Sequence, residues 1–462
     1  MELNKKYMAK FFIIDTNILL DYPEAIFAFD DNVVILTETI LDELNSFKKL
    51  DDDRGYNARI VIRYLESLRK ENNLLIGAKI NTNGLLKIEN NHIDINLPYN
   101  WDISEADHRL LQVCIYYQNN NIRLITNDII LRIKADMLNI PVEEYKASQA
   151  PKENLQYTGR CEAYILDDDF NDFYQFGRVN SNKLLIYDNN GNAIKYNQQL
   201  YPYEFITLKN SLGHTVLGKV NKSIDYIEKL QFVKFYPYGI TPKNIGQHFM
   251  IEALMDNTPL SIIKGCAGTA KTLLSLACGL ERTIEKGEFR HILICKSLVE
   301  LGGKNQIGFL PGTEQEKIDP YQRSIYDNLE ILVDSNANER YKNEQSLQNK
   351  IDYLFDKEYI IFQAVSFLRG RSINKQYVII DEAQNLSQSQ IKAIVTRIGE
   401  NTKLIILGDP MQIDSPFLNS RTNGLSWLSE KMKGSIYCNQ LTMLSNECIR
   451  SKLAEDAINR LG

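Results

Sequence analysis

At 462 residues the chain exceeds the roughly 250 to 300 residues at which one hydrophobic core stops growing, so two or three domains are expected. Hydrophobic residues at 44% and charged residues at 24% are globular averages, which excludes a disordered, collagen-like or fibrous chain. The formal net charge of −6, from 53 lysines and arginines against 59 aspartates and glutamates, excludes a surface that is adhesive to nucleic acid everywhere and confines any such site to a local patch.

The first segment opens on the strand-like run Phe11 to Ile14, ending at Asp15, and continues with apolar runs at Val33 to Leu36 and Ile122 to Ile125. Helical patterns over Thr39 to Leu50, Asn57 to Asn72 and Ser104 to Gln118 supply the crossovers that a parallel sheet requires. The unit closes near Lys146. Carboxylates recur in it at Asp15, at Glu43 on a helix, at Asp107 at a helix start, and at Asp128 after the third run. Each has an ordinary alternative: a helix cap for Asp15, a solvated side chain for Glu43, a first-turn acid for Asp107, a turn for Asp128. Asp15 and Asp128 nevertheless both follow strands of one parallel sheet. They therefore emerge on one edge, where packed helices can bring Glu43 and Asp107. Four crowded carboxylates repel unless divalent cations neutralise them, and hard oxygen ligands select Mg²⁺ or Mn²⁺. Two such ions about 4 Å apart would activate water and stabilise the leaving oxygen of a phosphodiester.

Ile14 to Leu19, Ile40 to Leu44, Ala106 to Leu111 and Thr126-Asn127-Asp128 together resemble the PIN ribonuclease family, over about residues 8 to 150. Gly55 to Arg59 and Arg132 to Asp136 resemble more narrowly the PIN domains fused ahead of PhoH ATPases. The resemblance implies an α/β/α nuclease with Asp15, Glu43, Asp107 and Asp128 as catalytic metal ligands, and with Asn17 and Thr126 in support. Asp102 and Glu105 lie close enough in sequence to compete for the place of Asp107.

From about 155 to 232 short β-prone runs, such as Lys183 to Tyr187 and Phe205 to Leu208, are punctuated by turns including Asn189-Asn190-Gly191,. A small β-rich insert is expected there, either a spacer or a small barrel that grips RNA.

The third segment, 233–462, returns to strands followed by helices. Its strands are expected at Ser261 to Lys264, His291 to Cys295, Tyr359 to Gln363, Tyr377 to Ile380 and Lys403 to Leu407. The first leads into Gly265-Cys266-Ala267-Gly268-Thr269-Ala270-Lys271-Thr272 and a helix, the context of a phosphate-binding loop. Backbone N–H groups of such a loop cradle phosphate, Lys271 reaches the terminal phosphates, and Thr272 holds Mg²⁺. Ala270 departs from the pattern by placing a methyl where a second glycine is expected. Asp381 and Glu382 end another strand, one suited to holding Mg²⁺ and the other to orienting the hydrolytic water. Gly408, Asp409 and Gln412 follow the last, in a loop able to sense the γ-phosphate.

Gly265 to Thr272, Asp381 to Asn385 and Gly408 to Asp414 resemble the ATPase of PhoH proteins, relatives of superfamily 1 helicases. Gly308 to Gly312, Arg369 to Ser372 and Arg450 to Ala454 extend the likeness over essentially the whole segment. It implies a P-loop fold with a parallel sheet, ATP as ligand, Gln247 as the adenine-reading glutamine, and Arg450 on the transferred phosphate. Lys296 and Ser297 stand where the family shows arginine and proline, which weakens the planar two-pronged grip expected on nucleic acid.

The chain is thus expected to be an ATP-driven RNA helicase or translocase coupled to a metal-dependent endoribonuclease. Its alternative is a nucleotide-gated RNA-binding scaffold with weak or decayed ATPase. The likeness also implies a homo-oligomer, possibly a hexameric ring. No apolar run reaches the roughly 18 to 20 residues of a membrane span. Seven scattered cysteines without metal-ligand spacing read as reduced thiols in a cytoplasmic protein.

Overall fold

A computed structural model describes residues 10–29, 32–50, 53–80, 84–98, 101–145, 150–187, 192–296, 314–335, 344–368, 372–415 and 418–449. They form two compact units, Met1–Gln149 and Ala150–Gly462. Among the described residues no helix is long and apolar enough to cross a membrane.

The first unit is built on β1 (Phe11–Ile14), β2 (Val33–Thr37), β3 (Ala78–Lys79), β4 (Leu85–Glu89), β5 (Ile122–Ile125) and β6 (Val142–Glu143). Their order is β3-β4-β2-β1-β5-β6, parallel except for the β3–β4 pair. A parallel sheet covered on both faces needs continuous apolar strands, and β1 supplies one, its Ile13 and Ile14 fully buried. Because β1 lies between β2 and β5, residues that follow these strands share the carboxyl edge. The helix Asp53–Glu71 starts four residues before Asn57, where the apolar pattern places its start. Gly55 makes that start possible, since a Cβ there would stand 2.0 Å from the Leu50 carbonyl oxygen. Asn57 then donates to the Leu20 carbonyl at 2.7 Å, and Arg59 to those of Lys48 and Leu50 at 2.8 and 2.9 Å. The Gly55–Arg59 motif therefore ties one helix to the ends of two others.

The second unit holds two sheets. One comprises β7 (Arg160–Tyr164), β8 (Arg178–Asn180), β9 (Leu185–Tyr187), β10 (Ala193–Lys195), β11 (Phe205–Lys209), β12 (Thr215–Val220) and β13 (Tyr226–Lys229). Its order, β10-β9-β7-β11-β12-β13-β8, has two ends, so the β-rich segment is an open sheet with its own apolar core of Phe173, Leu184, Ile206, Leu208 and Ile227. Asn189 to Gly191 lie outside the described residues, but Tyr187 and Ala193 on either side pair antiparallel, as a hairpin requires.

The other sheet comprises β14 (Leu260–Lys264), β15 (Ile292–Lys296), β16 (Ile360–Ala364), β17 (Tyr377–Asp381), β18 (Lys403–Gly408) and β19 (Cys438–Thr442). It is wholly parallel, in the order β16-β15-β17-β18-β14-β19. At its amino edge the buried Lys403 ammonium donates to the carbonyls of Ala253 and Thr258 at 2.8 and 2.6 Å and to the Asp256 carboxylate at 3.1 Å. This network pins the strand starts and leaves the carboxyl edge for chemistry.

Candidate functional site

In the first unit Asp15 leaves β1 buried and takes the N-cap of the helix Thr16–Asp21, accepting from the Asn17 N–H at 3.4 Å. Its other carboxylate oxygen accepts from Thr126 Oγ1 at 2.7 Å. Thr126 Oγ1 in turn accepts from the Asp128 N–H at 3.0 Å. Asp128 caps the helix Ile129–Met137. Glu43 reaches in from the helix Glu38–Phe47 and accepts from Thr16 Oγ1 at 2.5 Å. Asp107 enters from the first turn of the helix Ala106–Tyr116. Asp15 caps a helix as its ordinary reading expects, Asp128 caps one where a turn is expected, and both roles coexist with their convergence.

Electrostatics ties the four together. Burial pushes Asp15 up to about 6, against the pull of Thr126 and Asn17, and the charges of Asp107 and Glu43 add to the rise. Glu43 is raised by burial and by Asp107. Asp107 is raised by burial and by Asp128, while Lys134 draws it down. Asp102 is fully exposed, turns away to accept from the Ser104 N–H at 2.8 Å, and is lowered by that bond. The repulsion felt by Asp15 and Glu43 therefore comes from Asp107. Three further neighbours stand beside them: Thr16 and Lys134, which lie inside the runs Ile14 to Leu19 and Arg132 to Asp136, and Asp21, which no motif marks and which is pushed up to about 6 by burial and by Asp15. The set is not a closed cage, because among the described residues no three His, Cys, Asp or Glu side chains stand as a preformed ion site. Its donor chemistry still fits a hard cation, being all carboxylate and self-repelling.

In the second unit Gly265 follows β14, its N–H donating to the Gly408 carbonyl at 3.1 Å. The loop to Ala270 feeds the helix Lys271–Leu280, which aims its N-terminus as an anion site requires. Lys271 Nζ lies folded back on the Gly265 and Cys266 carbonyls at 2.5 and 2.9 Å. Burial lowers its pKa, against Asp409, Asp381 and Glu382. Thr272 Oγ1 donates to Asp381 Oδ2 at 3.0 Å, and the Asp381 carboxyl is raised by burial and by Glu382.

Strand β18 stands between β14 and β17, so the Gly408–Gln412 loop separates the phosphate loop from Glu382. Gln384 closes that gap: its amide donates to Glu382 at 2.7 Å and to the Gln412 carbonyl at 2.8 Å, and accepts from the Asp409 N–H at 3.1 Å. Glu382 sits at φ 54°, a left-handed backbone that costs a non-glycine residue about 1 kcal/mol or more and clusters at functional sites. Gln247 is buried, its side chain accepting from the Lys243 N–H at 2.8 Å.

Residues 239–461 match the family described as PhoH-like protein, and residues 12–146 match the PIN domain family. A PhoH2 protein of Bacillus subtilis is 33% identical over 98% of this chain and 100% of its own length. The chain belongs to the PhoH2 family. Further PhoH2 proteins, from Thermobispora bispora and Mycolicibacterium smegmatis, are 27% and 26% identical over 96% of this chain and 94% of their own lengths. This chain joins an N-terminal PIN domain to a C-terminal PhoH domain of P-loop NTPase type, a nuclease module followed by a nucleotide-using one.

Within the PhoH domain Ala270 takes φ 66°, ψ 27°, so the difficulty of a methyl there lies in its backbone angle as well as in the phosphate's space. Ser297, Gly308 to Gly312, Arg369, Arg371 and Arg450 lie outside the described residues. Lys296 is described and lowers Asp381 through its charge.

Two outcomes follow. Asp15 keeps its proton in the folded chain up to about pH 6, whereas the unfolded chain releases it near 4. Its contribution therefore erodes stability as pH rises through that window, by roughly 1 to 3 kcal/mol. In metal-free buffer Asp15→Asn should match the parent's melting near pH 4.5 and exceed it at pH 7.5. An equal difference at both pH values would contradict the assignment. Ala270→Gly should relieve about 1 kcal/mol of strain and raise the denaturation midpoint of the PhoH domain; a drop would show that the methyl packs favourably instead.

Proposed function

We propose that this chain couples ATP hydrolysis in its PhoH domain to metal-dependent cutting of RNA in its PIN domain, moving or unwinding an RNA strand that the nuclease then cleaves. The observation that carries the reading is shared by both domains. Each ends parallel strands in carboxylates that burial and neighbouring charge hold above their usual range, at Asp15 and at Asp381, and a hard divalent cation relieves that cost.

In the PIN domain Asp15, Glu43, Asp107 and Asp128 would hold Mg²⁺ or Mn²⁺, which when bound supplies an activated water and a Lewis acid for the leaving oxygen. Thr126 and Thr16 orient Asp15 and Glu43 by hydrogen bonds. Lys134, which offsets the charge on Asp107, is suited to a phosphate of the RNA backbone.

In the PhoH domain Thr272 and Asp381 would share the Mg²⁺ of ATP. Lys271 swings from the loop carbonyls to the terminal phosphates, and the N–H groups of Gly265 to Thr269 take phosphate oxygens. Glu382 orients the attacking water, held in place by Gln384. Asp409 and Gln412 lie on the neighbouring strand end to report the γ-phosphate, Gln247 reads adenine, and Arg450 completes the charge on the transferred group.

A chain with a single motor sheet acts as a homo-oligomer in this reading, a ring of six by family likeness, working in the cytoplasm. The competing scaffold reading draws on Ala270 in a left-handed backbone and on Lys271 turned onto its own loop. ATP turnover no faster than that of Lys271→Ala would favour it.

With labelled single-stranded RNA and Mn²⁺, Asp15→Asn should lose at least 100-fold in cleavage while keeping RNA-stimulated ATP turnover. Lys271→Ala should lose ATP turnover by a similar factor and still cut unstructured RNA. Cleavage unchanged in Asp15→Asn, or turnover indifferent to RNA, would overturn the reading.

A further inference from the structure

The segment after β19 is fastened across the phosphate loop. Glu447, buried at 7% exposure, accepts from the Gly246 N–H at 2.9 Å and from the Leu444 N–H at 2.8 Å. The Arg160 guanidinium, on β7, donates to both Glu447 carboxylate oxygens at 2.9 and 2.8 Å. Asn244 holds the Glu447 carbonyl at 2.9 Å. A Cβ on Gly246 would lie 2.2 Å from a Glu447 oxygen, so the anchor needs glycine at that place.

From this anchor the next two residues lie on the loop. The Cys448 thiol donates to the Ala267 carbonyl at 2.7 Å, and the Ile449 N–H to the Gly268 carbonyl at 2.9 Å. Ala267 adjoins Cys266, and the Cys266 thiol is pushed up by burial and by the neighbouring Cys448 thiol. Both cysteines are partly accessible, whereas Cys114, Cys278, Cys295 and Cys438 are buried. Two neighbouring thiols, one in the phosphate loop and one on a strap that is bonded to the very next loop residue, are candidates for a disulfide,.

We propose that Cys266 and Cys448 form a reversible disulfide that locks the phosphate loop against nucleotide. The proposal goes beyond the coupled motor and nuclease, and rests on that reading only in taking the loop to bind ATP. The oxidant is a peroxide. The Cys448 thiolate attacks one peroxide oxygen, the O–O bond breaks, hydroxide leaves, and a sulfenic acid forms. The Cys266 thiolate then attacks that sulfur, the S–O bond breaks, and a second hydroxide leaves as the S–S bond forms. With the two thiol protons the hydroxides depart as two waters, so the sulfurs lose two electrons and the peroxide gains them.

The link would tether Cys266 to the Arg160–Glu447 anchor. Its carbonyl, on which Lys271 now rests, would stay in place, and the loop could not turn its N–H groups outward to phosphate. A reducing thiol reverses the bond, which makes the pair an off-switch on the motor.

The full chain, treated with a small excess of hydrogen peroxide, alkylated and digested, should yield a peptide joining Cys266 to Cys448. Binding of a fluorescent ATP analogue should weaken at least tenfold and recover with dithiothreitol. Cys448→Ser keeps a donor to the Ala267 carbonyl. It should bind the analogue as the reduced parent does and lose the sensitivity to peroxide, while Cys161→Ser should retain it. Absence of the joined peptide, a joined protein that binds within twofold of the reduced one, or peroxide sensitivity persisting in Cys448→Ser would each overturn the proposal. A reduced parent that fails to bind the analogue would count against the nucleotide reading, and the joined peptide would then decide the pairing by itself.

Discussion

Asp15 stands where ionisation is costly. It is buried at the end of the central strand of its sheet, its oxygens already accept from Thr126 and Asn17, and the charges of Glu43 and Asp107 bear on it. A protein can sustain such a residue only if something offsets the charge, and the bonds it accepts from its neighbours do so only in part. The same constraint recurs in the other domain at Asp381, buried beside Glu382 and bonded to Thr272. The concentration of buried negative charge at both places is thus a consequence of where parallel strands end.

Once charge is concentrated at those edges, the surrounding framework has to hold it still. Lys403 and Asp256 secure the opposite edge of the PhoH sheet, so strand ends rather than strand starts carry the reactive loops. Gln384 bridges the gap opened by β18 and makes Glu382, Asp409 and Gln412 one hydrogen-bonded group. The β-rich sheet is fastened to this frame as well. Buried Lys264 donates to the Tyr157 carbonyl at 2.9 Å, and Arg160 grips Glu447, so the segment between the two named domains helps define the nucleotide loop's surroundings.

Much of this was legible in the residues. Runs such as Phe11 to Ile14 and Tyr377 to Ile380 announce buried strands because continuous apolar stretches have few other homes, and a carboxylate at the end of each marks the edge. What escaped was whatever depends on contacts distant in sequence. Strand β19, with Asn439 and Gln440 in its middle, reads as polar, yet both are buried: Asn439 donates to Asp256 at 3.0 Å, and Gln440 accepts from Ser429 at 2.8 Å. Thr16 and Lys134 sit in recognisable runs and Asp21 in none, yet their places beside Glu43, Asp107 and Asp15 follow only from the packing of helices. Ala270 was visible as a departure, but its left-handed backbone was not, because a pattern of residue types does not specify a dihedral angle.

The most direct test of the claim that both sites are charge deficits awaiting a cation is a Mn²⁺ titration of the metal-free full chain at pH 7.5, followed by electron paramagnetic resonance. The account predicts Mn²⁺ bound without nucleotide that disappears in Asp15→Asn, and a further ion that appears only with ATP and disappears in Asp381→Asn. No Mn²⁺ bound at sub-millimolar concentration, or the same binding in Asp15→Asn as in the parent chain, would contradict it.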